Sequence, residues 1–367
     1  MNFDFSDESK LLRDQARRFL TEKSTSRQVR TVLEGNAPYL KDLWQEMATM
    51  GWLAAAIPEQ YEGGGMGHEA LCVLAEELGR ANTPVPFVAS IALGAEAILA
   101  AGTEAQKRTH LPRIGSGETI ATVALGAGPG EPQPNRVQAT LRDGRISGEA
   151  WPVPDGGIAD IAVVAVQDGA AVALALVDLS GPGVARTPLD SLDPTAPAAR
   201  LRFDGAAAEK MPIGWDAVQS VLDRAAVLVA FTQIGAALAC LEMATAYAKE
   251  RYAFGRPIGS FQAIKHRLAD IYIASELARS NAYFGAWALE TGAADLPLAA
   301  ATARVSACEA GFFAARENIQ VHGGIGFTWD MDCHLFYRRA KHLGLVLGSP
   351  RWWKDRLVTE LTLRNAA

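Results

Sequence analysis

The chain has 367 residues, 49% of them hydrophobic and 21% charged, a composition typical of a globular protein with roughly two or three domains. Its formal net charge of -6 at pH 7 leaves no basic surface for a nucleic acid, so that class of partner is excluded. No run reaches about 18 consecutive apolar residues, and no membrane-spanning helix is predicted.

Cysteine and histidine form no metal or disulfide pattern. Cys72, Cys240, Cys308 and Cys333 are scattered without a C-x-x-C pair, which predicts neither a disulfide framework nor a zinc site and fits a reducing compartment. The six histidines show no metal-ligand spacing. The acidic start, MNFDFSDESK, lacks the basic and then apolar pattern of a signal peptide. We therefore expect a cytoplasmic protein without a metal centre.

Residues 1–115 are predicted to form an N-terminal α-helical domain. Ser6 can cap a first helix, because Asp7 and Glu8 favour its first turn and apolar residues then recur at helical spacing. Further helix-like patterns cover about 38–51, 68–81, 88–101 and 104–112. The stretch PEQYEGGGMG, residues 58–67, is rich in glycine and proline, so we predict a loop there.

Residues 116–212 are predicted to form a small antiparallel β domain. In QATLRDGRISG, two strand-like segments flank Asp143-Gly144, the strongest short signal for a hairpin. IADIAVVAV and AVALALVDL follow as two further strands, separated by Gln167-Asp168-Gly169. Short strands divided by turn residues indicate a sheet.

Residues 213–367 are predicted to form a C-terminal helical bundle. Long helices are predicted from about Asp216 to Arg251, from about Ser260, over about 297–321, and from Ser349-Pro350 onward. Helices of this length with broad apolar surfaces predict a bundle that also packs against other subunits. The fold class is therefore α+β, with a helical domain, a small β domain and a long-helix bundle in chain order.

Common catalytic motifs are absent, which leaves two segments as candidates for chemistry. In ERYAFGRPIGSFQ, residues 250–262, Arg251 ends one helix and a glycine-rich turn leads to the positive end of the next. This arrangement suits an anionic group such as a pyrophosphate. The alternative is a capped helix hairpin in which Arg251 forms a surface ion pair.

The second segment is QVHGGIGFTW, residues 320–329, with three glycines in four positions after a long helix. Glycine is the usual residue where the chain takes a positive φ or admits a ligand against its backbone. It also ends helices. Both explanations of this glycine run stay open at the level of the sequence.

Together these segments resemble the acyl-CoA dehydrogenase family. The pattern Arg-x-x-Phe-Gly-x-Pro-Ile-x-x-Phe-Gln at residues 251–262, QVHGGIGFTW, the earlier PEQYEGGG and the α-β-α order carry the resemblance, which covers essentially the whole chain. It implies a flavoprotein, usually tetrameric, that uses FAD to remove two hydrogens across the α and β carbons of an acyl-CoA substrate. It also implies electron-transfer flavoprotein as the electron acceptor.

The resemblance implies six cofactor-binding residues, namely Arg251, Phe254, Gln262, Gln320, Gly323 and Gly324. The first three correspond to residues that bind the phosphates and adenosine of FAD from a neighbouring subunit. The last three correspond to residues whose backbone approaches the same cofactor. On this interpretation the glycines are present because a dinucleotide lies against the chain.

The family's catalytic base is absent from its usual position. The reaction needs flavin N5 to take a hydride and a desolvated carboxylate to take the α proton. The usual glutamate precedes a glycine shortly before the last helix, where this chain has Leu347. A minority of the family places it near the start of the long helix, and the nearest candidate here is Asp223, slightly out of register. The alternative is that Asp223 and Arg224 form ion pairs at a surface or interface.

The part of the β domain that faces the flavin in the family also departs from the pattern. Gly126-Ala127-Gly128 replaces a threonine-glutamate-proline segment, Ala150 stands where lysine is usual, and Pro154 stands where a threonine often contacts flavin N5. This leaves backbone N–H groups or nothing to contact the flavin. With FQAIKHRLAD and HLFYRRAK, these changes resemble the bacterial branch that acts on steroid side chains and other bulky acyl groups, whose members can pair two unlike subunits.

Three functions therefore remain open. The first is an active FAD-dependent acyl-CoA dehydrogenase that performs α,β-desaturation. The second is a non-catalytic or partly degenerate subunit of a heteromeric acyl-CoA dehydrogenase. The third is a flavin oxidase or monooxygenase on the same fold. The expected assembly is a homotetramer, or a heterotetramer with a related subunit.

Overall fold

The computed structural model describes residues 5–366, so the first four residues of the acidic start lie outside the described part of the chain. Within this range, six α-helices precede the first strand: α1 Asp7–Lys23, α2 Ser26–Leu33, α3 Lys41–Thr49, α4 Gly67–Arg80, α5 Glu96–Ala101 and α6 Glu104–Gly115. A π-helix, Phe87–Ala95, runs directly into α5. Ser6 Oγ accepts a hydrogen bond from the backbone N of Ser9 at 3.2 Å, which confirms the predicted cap of α1.

Eight strands form one sheet: β1 Ala121–Ala124, β2 Thr140–Arg142, β3 Arg145–Pro154, β4 Ile161–Asp168, β5 Ala171–Asp178, β6 Val184–Leu189, β7 Ala198–Ala207 and β8 Glu209–Lys210. Their order is β6-β7-β3-β2-β4-β5-β8, with β1 beside β4. The predicted hairpin joins β2 and β3. Asp143 and Gly144 in its turn have φ of 48° and 70°, as a tight hairpin turn of this kind requires.

The sheet is mixed rather than wholly antiparallel. Strands β1 and β2 both pair with β4 in parallel, and the other pairings are antiparallel. Ala121 and Val123 of β1 pack into the helical core, while Ala124 packs into a separate core on the other side of the sheet. Side chains alternate between the two faces in both kinds of pairing, so the sequence pattern does not reveal strand direction.

Five α-helices follow the sheet: α7 Trp215–Glu250, α8 Gln262–Thr291, α9 Leu296–His322, α10 Cys333–Leu343 and α11 Pro350–Ala366. Between α7 and α8, the two-residue strands β9 Tyr252–Ala253 and β10 Arg256–Pro257 pair with each other. Helix α8 begins later than the predicted Ser260, because residues 258–260 form a short 3₁₀ turn first. Ser349 Oγ accepts from the backbone N of Trp352 at 3.2 Å, which confirms the cap of α11.

Helix α7 is the central helix of the bundle. It packs against α4, α8 and α9, which explains why it is apolar on nearly all sides. Within residues 5–366 it is the one helix long and apolar enough to cross a membrane, yet 78% of its most apolar stretch is buried inside the structure. Its composition is therefore accounted for by packing between helices.

Candidate active site

A cavity of about 560 Å³ lies between the sheet and the C-terminal helices. One wall is formed by the loop after β1, beginning at Gly126, and by Pro152 and Pro154 of β3. The opposite wall is the segment between α10 and α11, which contributes Leu347, and α7 adds Leu222. Most of these side chains are apolar, so the cavity suits a largely apolar group.

Leu347 is fixed in the cavity wall through its backbone. Its side chain is 1% exposed and lines the cavity. Trp353, fully buried in α11, donates a hydrogen bond from Nε1 to the carbonyl oxygen of Leu347 at 3.0 Å. A leucine side chain has no proton acceptor, so this position cannot abstract a proton.

The loop after β1 is bonded to β3 through its own backbone. Gly128 N donates to the carbonyl oxygen of Trp151, and Trp151 N donates to that of Gly126, both at 2.9 Å. Pro152 and Pro154 have no N–H at all. At these four positions, Gly128, Trp151, Pro152 and Pro154, the backbone therefore offers no free N–H to a ligand.

Two hydrogen bonds join carboxylates of the cavity wall to the C-terminal helical region. Ser349 Oγ donates to Glu131 at 2.5 Å, and this bond lowers the pKa of Glu131 below its ordinary value. Arg339 Nε donates to buried Asp193 at 2.6 Å. Burial alone would raise the pKa of Asp193, but the Arg339 guanidinium brings it below its ordinary value. Both carboxylates therefore already form hydrogen bonds that join the β domain to the C-terminal helices.

Neither of these two hydrogen-bonded pairs was predicted from the sequence. Glu131 and Ser349 are 218 positions apart, and Asp193 and Arg339 are 146 apart. Local spacing carries no information about contacts over such separations. The available signal was a polar side chain inside an otherwise apolar, turn-rich segment. This pattern is too common to identify a site.

Asp223 is buried in α7 and does not line the cavity, although the neighbouring Leu222 does. Asp223 Oδ1 lies 2.8 Å from Nη2 of Arg356 in α11, whereas Arg224 pairs with Glu96 at 3.2 Å. Adjacent helical residues face different directions, so each side chain has its own partner. Burial raises the pKa of Asp223 to about 6 despite the guanidinium of Arg356.

A second, more open groove of about 540 Å³ joins the two glycine-rich segments. It is lined by Arg251 at the end of α7 and by Gly323 and Gly324 after α9. The His322 ring stacks on Tyr247 with the centroids 4.2 Å apart. The surface ion pair considered for Arg251 is not observed within residues 5–366, so its guanidinium remains available in the groove.

The three glycines after α9 are constrained in different ways. Gly323 has φ of 65°, a conformation that favours glycine. A Cβ on Gly326 would lie 2.8 Å from the carbonyl oxygen of Ile319, so the chain itself excludes a side chain there. A Cβ on Gly324 would meet no atom within 4 Å. The described residues leave the space beside Gly324 open, as a dinucleotide lying against the backbone requires.

The other three predicted cofactor contacts lie at the surface, outside both cavities. Phe254 is 96% exposed, with its ring edge-on to that of Phe261 at 6.2 Å. Gln262 is the exposed first residue of α8, and Gln320 is exposed in the last turn of α9. The structure thus gathers Arg251 with the glycines and leaves these three side chains facing outward, and their roles stay predictions.

Comparison with known proteins gives one family for the chain. The sequence matches the family description "Acyl-CoA dehydrogenase, N-terminal domain" over residues 6–118 and "Acyl-CoA dehydrogenase, C-terminal domain" over residues 213–350. It is 34% identical over 356 residues to acyl-CoA dehydrogenase IpdE2 of Mycobacterium tuberculosis, covering 97% of this chain and 98% of that protein. The chain belongs to the acyl-CoA dehydrogenase family.

Two solved structures are similar over nearly the full length. A variant of the Tcur3481-Tcur3483 steroid ACAD is 33% identical, with a TM-score of 0.90 over 98% of this chain and 99% of that one. The ChsE4-ChsE5 complex from Mycobacterium tuberculosis is 29% identical, with a TM-score of 0.90 over 99% of both chains. The resemblance to the bacterial branch that includes steroid dehydrogenases is confirmed.

Proposed function

We propose that this chain is a partly degenerate subunit of a heteromeric, FAD-dependent acyl-CoA dehydrogenase that desaturates a bulky acyl-CoA between its α and β carbons. The observation that carries the proposal is Leu347, which lines the cavity at the position where the family usually holds its glutamate. Proton abstraction needs a desolvated carboxylate aimed at the α carbon. A related partner subunit supplies that carboxylate.

The residues present fit FAD. Arg251, which has no ion-pair partner among residues 5–366, offers its guanidinium to a pyrophosphate, and Gly323 and Gly324 leave the backbone uncovered beside it. When bound, FAD supplies a hydride acceptor for the β carbon. The apolar walls of the larger cavity, including Pro152 and Leu347, exclude water from an enclosed acyl group.

Assembly with a second subunit is supported by the surface of the chain and by its relatives. Tyr272, Ile273 and Leu277 on α8 are 54%, 54% and 62% exposed, which is unusual for large apolar side chains grouped on one helix. One of the similar solved structures is the ChsE4-ChsE5 complex.

Purification of the tagged chain from its native host, followed by mass spectrometry, tests the proposal. The chain alone and the chain with its co-purifying subunit are then titrated anaerobically with bulky acyl-CoA thioesters. We expect the flavin absorbance to bleach only in the assembly. A stable, flavin-loaded homotetramer that turns over would contradict the proposal.

A self-sufficient dehydrogenase is the second candidate, favoured by Asp223. Asp223 follows the cavity-lining Leu222, and a pKa of about 6 suits a proton acceptor near neutral pH. If Asp223 is the base, Asp223→Asn abolishes acyl-CoA-dependent bleaching while FAD stays bound. If Asp223 serves only as the partner of Arg356, bleaching by the assembly is unchanged. Oxygen uptake without an added acceptor would instead identify a flavin oxidase or monooxygenase.

We also propose electron-transfer flavoprotein as the acceptor and the cytoplasm as the location. All four cysteines are free and buried, as expected in a reducing compartment. Mixing the assembly, a substrate and purified electron-transfer flavoprotein should reduce the latter. Substrate oxidation that reduces an artificial acceptor but leaves electron-transfer flavoprotein oxidised would contradict the proposed acceptor.

A further inference from the structure

His342 is a cavity residue that the proposed reaction does not use. It lies at the end of α10, in the same wall as Leu347, and is partly buried. Neither of its ring nitrogens has a hydrogen-bond partner within residues 5–366. By contrast, Nδ1 of His110 and Nδ1 of His334 are buried without a partner. His342 is therefore a free hydrogen-bonding group on the cavity wall.

The neighbouring polar groups of the cavity are already engaged. Ser349 bonds Glu131, and Arg339 bonds Asp193. Ser191 Oγ exchanges hydrogen bonds with the backbone of Asp193, both at 3.1 Å. Satisfied groups of this kind gain little from a ligand, because an existing hydrogen bond must break first.

Three further charged side chains line the cavity. Asp190 and Lys341 are both exposed, so water competes for any hydrogen bond they form with a ligand. Arg136 is half-buried and donates from Nη1 to the carbonyl oxygen of Pro129. His342 lies deeper, beside the apolar side chains of Val346 and Leu347. A hydrogen bond formed there is shielded from water and discriminates more strongly between ligands.

We propose that His342 is a specificity-determining residue, whose imidazole hydrogen-bonds an oxygen atom that the acyl group carries away from the thioester. The inference rests on the proposed function and names its substrate class, a bulky acyl group with a ring ketone or hydroxyl. The apolar wall buries the hydrocarbon part, and the imidazole fixes the orientation of the ring. A site with an unpaired hydrogen-bonding group disfavours the analogue that lacks the matching oxygen.

The protonation state of His342 agrees with this role. Burial lowers the pKa of His342 to about 4, with Asp193 opposing the effect and the guanidinium groups of Arg339 and Arg304 adding to it. The ring is therefore neutral at pH 7, with one nitrogen as donor and the other as acceptor. It can donate to a ketone or accept from a hydroxyl without placing a charge in the apolar cavity.

Two matched ligands test the inference: 3-cyclohexylpropanoyl-CoA and its 4-oxo analogue, bound to the flavin-loaded assembly and measured by calorimetry. We expect the wild-type protein to bind the ketone about threefold to tenfold more tightly, the range for one neutral hydrogen bond. His342→Leu should remove this preference without weakening the hydrocarbon ligand, and His342→Gln should restore part of it. Lys341→Gln, a rim variant, should keep the wild-type preference.

The possible results separate the inference from the proposed function. Equal binding of the two ligands to the wild-type protein, or a preference that survives in His342→Leu, would overturn the role of His342 alone. A His342→Leu variant with a changed flavin spectrum and an intact ketone preference would also overturn it, because the imidazole would then contact the cofactor. Absence of binding by both ligands would overturn the proposed function together with the inference.

Discussion

Gly324 and Gly326 lie in the same short run, yet the surrounding atoms constrain them differently. The backbone of Ile319 excludes a side chain at Gly326, and no described residue does so at Gly324. One glycine-rich motif therefore meets two separate requirements: internal packing at one position and open space beside the backbone at another. The sequence shows that glycine is needed there but does not show which requirement applies to which position.

These two positions give a matched pair of variants. Gly326→Ala should lower the free energy of unfolding by about 1–3 kcal/mol, because its Cβ would force the backbone apart. Gly324→Ala should change stability by less than about 0.5 kcal/mol but weaken retention of FAD. Denaturant unfolding and the flavin content after dialysis measure the two effects. Full FAD retention by Gly324→Ala would contradict a cofactor at this backbone.

Asp223 predicts a pH dependence of stability. Its pKa is about 6 in the folded chain against an ordinary 3.8, because burial and Glu360 outweigh Arg356. Below pH 4 the carboxyl is protonated in both the folded and the unfolded chain. As the pH rises through 6, ionisation in the buried site removes stability, on the order of 1–3 kcal/mol.

Asp223→Asn should not show this loss, so the unfolding free energy of the variant minus that of the wild type should increase between pH 4 and pH 7. Chemical denaturation at several pH values measures the difference, and Asp216→Asn, at an exposed position of the same helix, is the control. A difference that stays flat with pH would show that the folded carboxyl titrates normally.

At the scale of elements, α4 and α7 cross at two glycines. A Cβ on Gly79 would lie 1.9 Å from the carbonyl oxygen of Thr232, and a Cβ on Gly235 would lie 1.8 Å from that of Glu76. The two helix backbones are therefore in direct contact, and this crossing joins the N-terminal helices to the central helix of the bundle. The sequence did not predict a crossing at either glycine, because each lies within an otherwise ordinary helical pattern.

Gly235→Ala should destabilise the chain by more than about 2 kcal/mol, because the clash is with backbone that cannot rotate away. Gly311→Ala in α9 is the matched control, since its Cβ would make only ordinary contacts at 3.5 Å or more. The control should be neutral or stabilising by up to about 1 kcal/mol through helix propensity. Thermal unfolding of the two variants compares them, and equal effects would contradict the close crossing.

The caps of the first and last helices and the hairpin were predictable because their signals are local. Ser6 and Ser349 cap the helices that the sequence assigned to them, and Asp143-Gly144 forms the expected turn. The parallel pairing of β1 with β4 was not predictable, because it depends on where β1 lies after the N-terminal helices have packed. The cavity likewise depends on contacts between distant segments. Leu347 was therefore identified only through the family resemblance, and Glu131 and His342 were not predicted as cavity residues.

At the scale of the whole molecule, the exposed apolar face of α8 predicts assembly. Leu277→Glu should weaken association, because a charge would be buried in the interface. Leu11→Glu on α1, where the wild-type residue is 71% exposed, is a control with the same chemistry on a different helix. Light scattering after size-exclusion chromatography measures the mass. An unchanged assembly in Leu277→Glu would exclude this face from the interface.

We propose that two unlike subunits share the reaction, and the anaerobic absorption spectrum of this chain expressed alone is the sharpest test. The flavin-reconstituted chain is mixed with straight-chain and ring-bearing acyl-CoA thioesters, and the oxidised flavin band is followed. Because Leu347 lacks a proton acceptor, we expect that no thioester bleaches the band. Bleaching by any of them, lost in Asp223→Asn, would contradict the account and identify a self-sufficient dehydrogenase.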